Sequence, residues 1–491
     1  MHALVLWVGL LSLIAFSSPG AAASAAPAAG AASVSNSEGP PLTLDECIEI
    51  ALKNNRRRPA SQLAVALAEA QHQQALSAYW PQVHAEATYN WMDHDPNFVF
   101  PASSIQTPAI TGVVATPLGP LPVNVPAQSI TVPQQNVKLM DRATLATSLN
   151  LTLPVYTGGL RSALVRQAER GIDIAKQEAR RTDLELIYDV RRMYYGAVLA
   201  RELHRLSQEA LDRLGVTLEL TERLYQAGSE RVKKTDYLRN KTAVEALRSM
   251  TAALVGNVSL AKAALTNTMG LAWERSVEPV AGVIPFLPMA GDLGALVGDA
   301  YTFNPDWAKI EEALKVAEAR VDAAFSGHLP KVALFGTLTH LDNSANTGLM
   351  TAENKSSWTV GVGVSLPLFD GFKTTNQVRE ARARLARLKE QQVLLREGLA
   401  LQVKHALIQL QAAAVQQEAN GAAVRASEEN RDLNERAYQE ELVETKDVIE
   451  AQLIESLIKA QYQKSLYDHI DAQARLDFVI GRELTKHLGR P

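Results

Sequence analysis

Cysteine is almost absent from this chain of 491 residues, because Cys47 is its only example. A single thiol cannot form an internal disulfide, and it cannot supply the several thiolates of a structural zinc site. Ile50 and Ala51 follow Cys47 at the spacing of one helix face. We therefore expect Cys47 to be a small packed residue.

The chain also lacks a surplus of positive charge. Its 49 Lys and Arg face 53 Asp and Glu, which gives a net charge of −4. No cluster of basic residues with interleaved aromatics occurs, so no binding to nucleic acid is expected. Motifs for a nucleophilic serine, a phosphate-binding loop or a zinc protease are missing too, and the ten histidines are dispersed. The sequence therefore predicts no enzyme, no cofactor and no metal site.

Proline is missing from two long stretches, residues 155–278 and 368–490. In the first stretch Leu164, Ala168 and Ile172 recur at the three- and four-residue spacing of a helix face. Residues 160–226 are therefore predicted to form one helix, on the order of 100 Å long at about 1.5 Å per residue. A globular domain has little use for such a helix.

The same pattern occurs twice in the chain. An offset of 213 carries the junction LPVYTGG at 153–159 onto LPLFDG at 366–371, and LTERLYQ at 220–226 onto LNERAYQ at 433–439. The preceding helix–Pro–strand unit repeats with a larger offset of 249, which carries Pro81 onto Pro330. Each copy is predicted to contain helix, strand, loop, strand, very long helix, turn and returning helix.

The helices have recognisable ends. Residues 42–79 are predicted to be helical, with Thr43 as N-cap and Glu46 as its capping-box partner. Pro59 is a candidate point at which this segment divides into two helices. The returning helices are predicted at 233–269 and 445–478, after turns at 227–229 and 440–442.

The beginning of the chain has the features of a secretory signal. The apolar run at residues 3–16 is too short to span a bilayer and small residues follow it, although no Lys or Arg precedes it. A disordered Ala-rich tail is the alternative. The predicted divisions are a signal peptide (1–26), a linker (27–41), a first repeat (42–269), a connector (270–298), a second repeat (299–481) and a C-terminal tail (482–491).

Four short segments alternate between apolar and polar residues, and aromatics such as Trp91, Tyr156 and Trp358 stand near their ends. Their nine to eleven residues suffice to cross a bilayer as tilted strands. Four strands cannot close a barrel, and open edges in lipid cost several kcal/mol per unpaired backbone group. Two chains would give eight strands around a packed interior, and three would give twelve around a space for water. A small soluble sheet packed on helices is the alternative. The predicted strands are 83–91, 145–153, 332–340 and 358–368.

The connection between the first two strands is unusually long. Residues 92–140 contain eight prolines and almost no charge, so they are predicted to form a long exposed loop. Asp93, His94 and Asp95 open it, and one isolated motif of this kind is more typical of turn chemistry than of a metal site.

Residues 42–55 (LTLDECIEIALKNN), the two LP-[VL]-[YF]-x-G junctions and the paired LxERxYQ turns resemble the TolC-like outer-membrane efflux protein family. The resemblance covers residues 42–481 and implies a mainly α fold with a small β part. It implies a homotrimer in which a twelve-stranded outer-membrane β-barrel, four strands per chain, continues into a periplasmic α-barrel. It further implies a passive exit channel that contacts outer-membrane lipid, a periplasmic adaptor protein and an inner-membrane transporter.

The resemblance places the two turns at the periplasmic tip of the channel. Its pattern of acidic rings falls on Asp447 and Glu450, and Glu444 stands three residues earlier, so the three are predicted to share a helix face as a gate for cations. A latch between basic and acidic tips is the second hypothesis, and a solvated charged tip is its alternative. Tyr225 and Tyr438 are predicted to pack one turn before the tips, and pairing between adjacent hairpins is the alternative for them. The latch residues are Arg231, Lys233, Lys234, Glu440 and Glu441.

Two other classes of protein also explain long helical hairpins. A soluble coiled-coil scaffold would contain long helices rich in Ala, Glu, Arg and Leu. A periplasmic adaptor would contain helical hairpins but would not need four strands of membrane length. The sequence carries no motif for a particular cargo, because residues that line a conduit need only tolerate passage.

Overall fold

The computed structural model describes residues 41–229, 232–280, 282–286, 288, 291–343, 355–440 and 442–482. The predicted signal peptide lies outside these residues, as do most of the predicted linker and tail. The chain divides into two compact units. The helical unit comprises the residues up to 70, 168–317 and those from 384 onward, and the sheet unit comprises 71–167 and 318–383.

Eight α-helices occur within the described ranges. The offset of 213 carries both ends of one 67-residue helix onto those of another, which confirms the predicted helix at 160–226 and the internal repeat. The helices are α1 (Leu44–Asn54), α2 (Arg57–Ser77), α3 (Leu160–Gln226), α4 (Lys234–Thr268), α5 (Leu293–Phe303), α6 (Pro305–Phe325), α7 (Lys373–Gln439) and α8 (Thr445–Ile480).

The first helix begins with the predicted capping box. The Thr43 hydroxyl accepts the Glu46 N–H at 3.4 Å, and the Glu46 carboxylate accepts the Thr43 N–H at 2.7 Å. The chain divides at Asn55 rather than at Pro59, because the Asn55 side-chain oxygen accepts the Arg57 N–H at 2.9 Å. Pro59 lies in the first turn of α2, where a missing N–H leaves no helical hydrogen bond unmade.

Twelve strands occur in the same described ranges. The four predicted strands form one antiparallel sheet in the order β12-β11-β9-β2, and β12 ends at Ser365 because Leu366 and Pro367 follow it. The strands are β1 (Pro41–Leu42), β2 (Gln82–Trp91), β3 (Asn97–Phe100), β4 (Ser103–Thr107), β5 (Ile110–Thr116), β6 (Gly119–Val125), β7 (Gln128–Val132), β8 (Gln135–Lys138), β9 (Ala143–Tyr156), β10 (Glu278–Pro279), β11 (Lys331–Asp342) and β12 (Ser356–Ser365).

Residues 92–140 are largely exposed, as predicted for a long loop, but the loop prediction is wrong because most of them form strands. Strands β3 to β8 fold into one long two-stranded ribbon of three ladders, in which Phe98 pairs with Val137, Ile105 with Ile130 and Ile110 with Val125. These pairs share one register, so the strands do not slip between ladders. Each gap between ladders contains one proline on each arm, and proline has no N–H to give to a ladder. The gap prolines are Pro101, Pro108, Pro126 and Pro133.

The helical unit has its own apolar core. Cys47 is fully buried there, as its place on the helix face predicted, and burial raises the pKa of its thiol to about 12. A buried thiol with so high a pKa is chemically inert. The core residues around it come from α1, α3, α4 and α8 and include Ile48, Ile187, Val190, Val198, Leu265, Leu457 and Ile470.

Candidate functional site

One face of the four-stranded sheet is apolar and exposed. Side chains alternate along a strand, and cross-strand partners point to the same face. Trp358, Val360 and Val362 of β12 are 74%, 73% and 64% exposed, although apolar side chains of this size are usually buried. The same face carries Val83, Ala85, Leu149, Leu151, Leu334 and Leu338 from the other three strands.

The opposite face of the sheet is polar. The Thr337 hydroxyl donates to the Asn150 side-chain oxygen at 3.1 Å, and the Asn150 amide donates to the Ser148 hydroxyl at 3.1 Å. This face also carries His84, Glu86, Thr88, Asn90, Thr152, Thr339, Ser357 and Thr359. A sheet with one lipid-like and one water-like face suits a boundary between membrane and aqueous pore.

Phe335 is the aromatic side chain on the polar face. Its ring lies across Gly361 of the neighbouring strand, where an added Cβ atom would stand 2.4 Å from the ring. The glycine therefore lets the ring lie against the sheet instead of projecting from the polar face.

Aromatic side chains stand near the strand ends, as predicted. Tyr79 and Trp80 lie just before β2 and Trp91 ends it, and all three are exposed. The Arg161 guanidinium lies 4.3 Å from the Tyr79 ring and donates to the Pro154 carbonyl at 2.6 Å. An amphipathic ring held beside a fixed cation suits the level of lipid headgroups.

The two outer strands of the sheet, β2 and β12, each have one neighbour among the described strands. The second backbone edge of each strand therefore has no partner strand within the described part of one chain. As for the helices, none of those described combines the length and the apolarity that are needed to cross a bilayer.

The two returning helices, α4 and α8, have the same hydrogen bond at their N-terminal ends, just after the turns that follow the long helices. The Lys233 N–H donates to the Asp236 carboxylate at 3.1 Å, and the Glu444 N–H donates to the Asp447 carboxylate at 3.1 Å. Glu444 is the N-cap residue of α8, with an extended backbone. Glu444 thus stands just before the first residue of α8, whereas Asp447 and Glu450 lie within it, and a face shared by all three stays a prediction.

The predicted latch has no ion pair within one chain among the residues that the structure describes. Lys233, Lys234 and Glu440 are exposed there, and Glu444 pairs with Lys446 at 3.1 Å. Arg231 and Glu441 lie outside the described residues.

The two tip tyrosines have different partners. Tyr225 stacks on Tyr237 of the returning helix with ring centroids 6.1 Å apart. Tyr438 has its hydroxyl 3.1 Å from the Thr445 hydroxyl and 3.3 Å from that of Thr221, which belongs to the other hairpin. Tyr225 thus packs within its hairpin, while Tyr438 connects two hairpins.

Sequence reasoning missed a charged cluster inside the helical unit. The Glu455 carboxylate is 1% exposed and meets Arg213 of α3 at 2.8 Å, Arg431 of α7 at 3.1 Å and Lys459 of α8 at 2.7 Å. One buried anion thus joins cations from three helices. The internal repeat contained a signal. The N-cap residues Lys233 and Glu444 correspond at an offset of 211 (444 − 233), and this offset carries Val244, a core residue of α4, onto Glu455.

Comparison with known proteins gives a family match. The model of the outer membrane efflux protein family matches residues 131–271 and 296–482. The chain is 26% identical over 247 residues to protein CyaE of Bordetella pertussis, which is 49% of the chain, so the match spans about half the length of CyaE. It is 21% identical over 360 residues to outer membrane efflux protein BepC of Brucella suis, 71% of the chain and 74% of BepC.

A solved structure has a similar fold. The CmeC outer membrane channel of Campylobacter jejuni superposes with a TM-score of 0.69 at 15% sequence identity, over 94% of both chains. At this identity the likeness concerns the fold. The fold is accordingly the predicted one, mainly α-helical with a small sheet.

Proposed function

Because the chain belongs to the outer membrane efflux protein family, we propose that it forms the outer-membrane exit channel of an export system. It lies in the outer membrane and extends into the periplasm. The observation that carries the proposal is the sheet, with an apolar face, a polar face and two unpaired edges.

The unpaired edges require other copies of the chain. In lipid no water can satisfy a free backbone N–H or C=O group, so a membrane sheet is stable only when it closes. Three copies supply twelve strands when β2 of one copy pairs with β12 of the next. Twelve strands enclose enough space for water, and the polar face of each sheet lines it.

The conduit is passive and involves no enzymatic step. An inner-membrane transporter supplies the energy, and a periplasmic adaptor joins it to the helical tip of the trimer. Neither alternative, a soluble scaffold or an adaptor, needs an exposed apolar sheet of membrane length.

A pair of arginine variants tests the orientation of the sheet. Val360→Arg places a charge on the apolar face, and we expect it to lower the stability of the membrane-inserted trimer by about 2–4 kcal/mol per chain. Thr359→Arg, one residue away on the polar face, is the matched control and should cost at most about 1 kcal/mol.

The measurement is denaturant unfolding of the trimer after folding into lipid vesicles. Equal losses from both arginines would contradict a lipid-facing and a water-facing side. A purified protein that stays monomeric without detergent would contradict the channel itself.

The gate proposal concerns Asp447 and Glu450, with Glu444 beside them. Three copies would place nested rings of carboxylates at the tip, and these would attract cations and oppose anions. We expect the variant with Asp447→Asn and Glu450→Gln to weaken block of single-channel current by a trivalent cation by about tenfold, equivalent to about 1.4 kcal/mol. Asparagine keeps an acceptor for the helix cap while removing the charge.

Asp236→Asn is the control, because Asp236 makes the same cap in the other hairpin. Unchanged block in the double variant would remove these carboxylates from the gate.

We propose the latch as a contact between neighbouring copies, formed by Arg231, Lys233 and Lys234 with Glu440 and Glu441. In the same recordings, charge reversal at Lys233 and Lys234 should raise the conductance, and unchanged closure would defeat the latch.

A further inference from the structure

The ribbon formed by β3 to β8 has a composition unlike the rest of the chain. Charged residues make up 21% of the chain, yet none occurs from residue 96 to residue 137. At a strand rise of about 3.3 Å per residue, arms of some twenty residues project roughly 65 Å. Surface ribbons in water usually carry charges that keep them solvated and separate.

The apolar side chains of this ribbon are exposed in one chain. Ile105, Ile110, Val113 and Val114 are between 55% and 69% exposed. A two-stranded ribbon by itself is at best marginally stable in water. Burial of these side chains against a partner would supply the missing stabilisation, at about 25 cal/mol for each Å² of apolar surface.

The faces of the outer third of the ribbon, β5 and β6, differ from one another. Cross-strand pairing places Thr111, Val113 and Ala115 on one face, together with Asn124, Pro122 and Pro120. The other face is aliphatic and carries Ile110, Val114, Leu121, Val123 and Val125. The prolines also remove N–H donors, which disfavours the addition of a further strand to that edge. The aliphatic face has five exposed branched apolar side chains, whereas the opposite face has one, Val113, so contact through the aliphatic face would bury more apolar surface.

The position of the ribbon indicates which partner this face meets. The ribbon leaves the sheet from β2 and β9, and β2 is an outer strand of the sheet. In the trimer of the proposed function, on which this inference rests, β2 lies at the boundary with the next copy. Three ribbons, one from each copy, therefore leave the same rim of the barrel.

We propose that the aliphatic face of each ribbon packs against the ribbons of the other two copies, as a collar above the outer opening of the channel. An uncharged surface suits contact between identical copies, because no like charges meet. It offers no cation to the phosphates of lipid headgroups or surface saccharides, so those partners fit less well.

A pair of cysteine variants tests the collar. Val123→Cys lies on the aliphatic face, and Asn124→Cys is its neighbour on the opposite face. Cys47 is fully buried, so the introduced thiol is the reactive one in each variant. Mild oxidation of intact membranes should join two of the three chains through Val123→Cys, since a disulfide needs Cβ atoms about 3.5–4.5 Å apart. Asn124→Cys should give far less covalent dimer.

Maleimide labelling without oxidant separates the other outcomes. A Val123→Cys thiol that labels freely and forms no dimer would overturn the collar. A thiol that is protected from maleimide but forms no dimer would overturn the collar as well, because lipid or a different protein would then cover the aliphatic face. The size of both variants in detergent tests the trimer separately, so failure of the collar and failure of the proposed function are distinguishable.

Discussion

Replacement of Glu455 by leucine is expected to destabilise the helical unit by about 2–3 kcal/mol. Leucine fills about the same volume as glutamate, so no large cavity forms. Arg213, Arg431 and Lys459, however, lose the anion that they share. Lys459 retains Glu428 at 2.7 Å, and Arg431 retains Asp432 beside it. The cost falls mainly on Arg213, whose described ion-pair partner is Glu455.

Guanidinium unfolding of the purified protein, followed by its helical circular dichroism, measures this loss. Glu245→Ala is the control, because Glu245 pairs with Arg248 at 2.8 Å on the surface, with both side chains more than half exposed. Removal of such a pair costs about 0–1 kcal/mol. A loss below about 1 kcal/mol for Glu455→Leu would show that the three cations turn into water and that the cluster stabilises nothing.

The cluster illustrates what a sequence predicts well and what it does not. The ends of α3 were predictable, because proline and glycine bound a long segment of one periodicity. Burial of Glu455 was not, because it depends on α3 meeting α7 and α8, and Arg213 of α3 is 242 residues from Glu455 in sequence. Comparison with Val244 of the first repeat marks the position. At the offset of 213, however, Arg213 falls on Ala426 and Arg431 on Leu218, so the repeat does not reproduce the cluster.

The ribbon of β3 to β8 shows a different reason for failure. Proline argues against a central strand, and eight prolines argued for a loop. A two-stranded ribbon, however, has an outward-facing edge on each arm, where a missing N–H breaks no pair. Pro120 and Pro122 stand at alternate positions of β6, and the other prolines within the ribbon stand in its gaps or at its turn. The short-range pattern was therefore compatible with both structures.

The tip residues were placed by resemblance, and the structure adds constraints that the sequence did not contain. Asp447 was assigned a charge in a ring, and it also caps α8 through the Glu444 N–H. If a substitution removed both the charge and the cap, a change in cation block could come from either the lost charge or an unwound start of α8. This double role is why the amide variant, which keeps the acceptor, is the informative one.

Gly481→Ala is expected to have the other large effect, a loss of about 3 kcal/mol or more in the stability of the helical unit. Gly481 ends α8 with φ +82°, a left-handed conformation that costs other residues roughly 1–2 kcal/mol. An added Cβ atom would also stand 2.5 Å from the carbonyl oxygen of Phe303. Backbone atoms cannot move aside as a flexible side chain can, so the α5–α6 turn must shift.

That shift would break a second contact, since the Asn304 side-chain amide donates to the Val479 carbonyl at 2.8 Å. The first repeat contains the same arrangement, called here the clasp: an asparagine amide between two helices donates to a carbonyl near the end of the returning helix, beside a glycine. In that repeat Asn55 donates to the Thr268 carbonyl at 2.7 Å, next to Gly270. Gly228→Ala is the matched control, because Gly228 has φ +75° but open space around it. Its loss measures the backbone strain alone, and the excess for Gly481→Ala measures the clasp. Equal losses in guanidinium unfolding would mean that α8 ends independently of the α5–α6 turn, whereas an excess shows that each returning helix is held at its end by the turn of its own repeat.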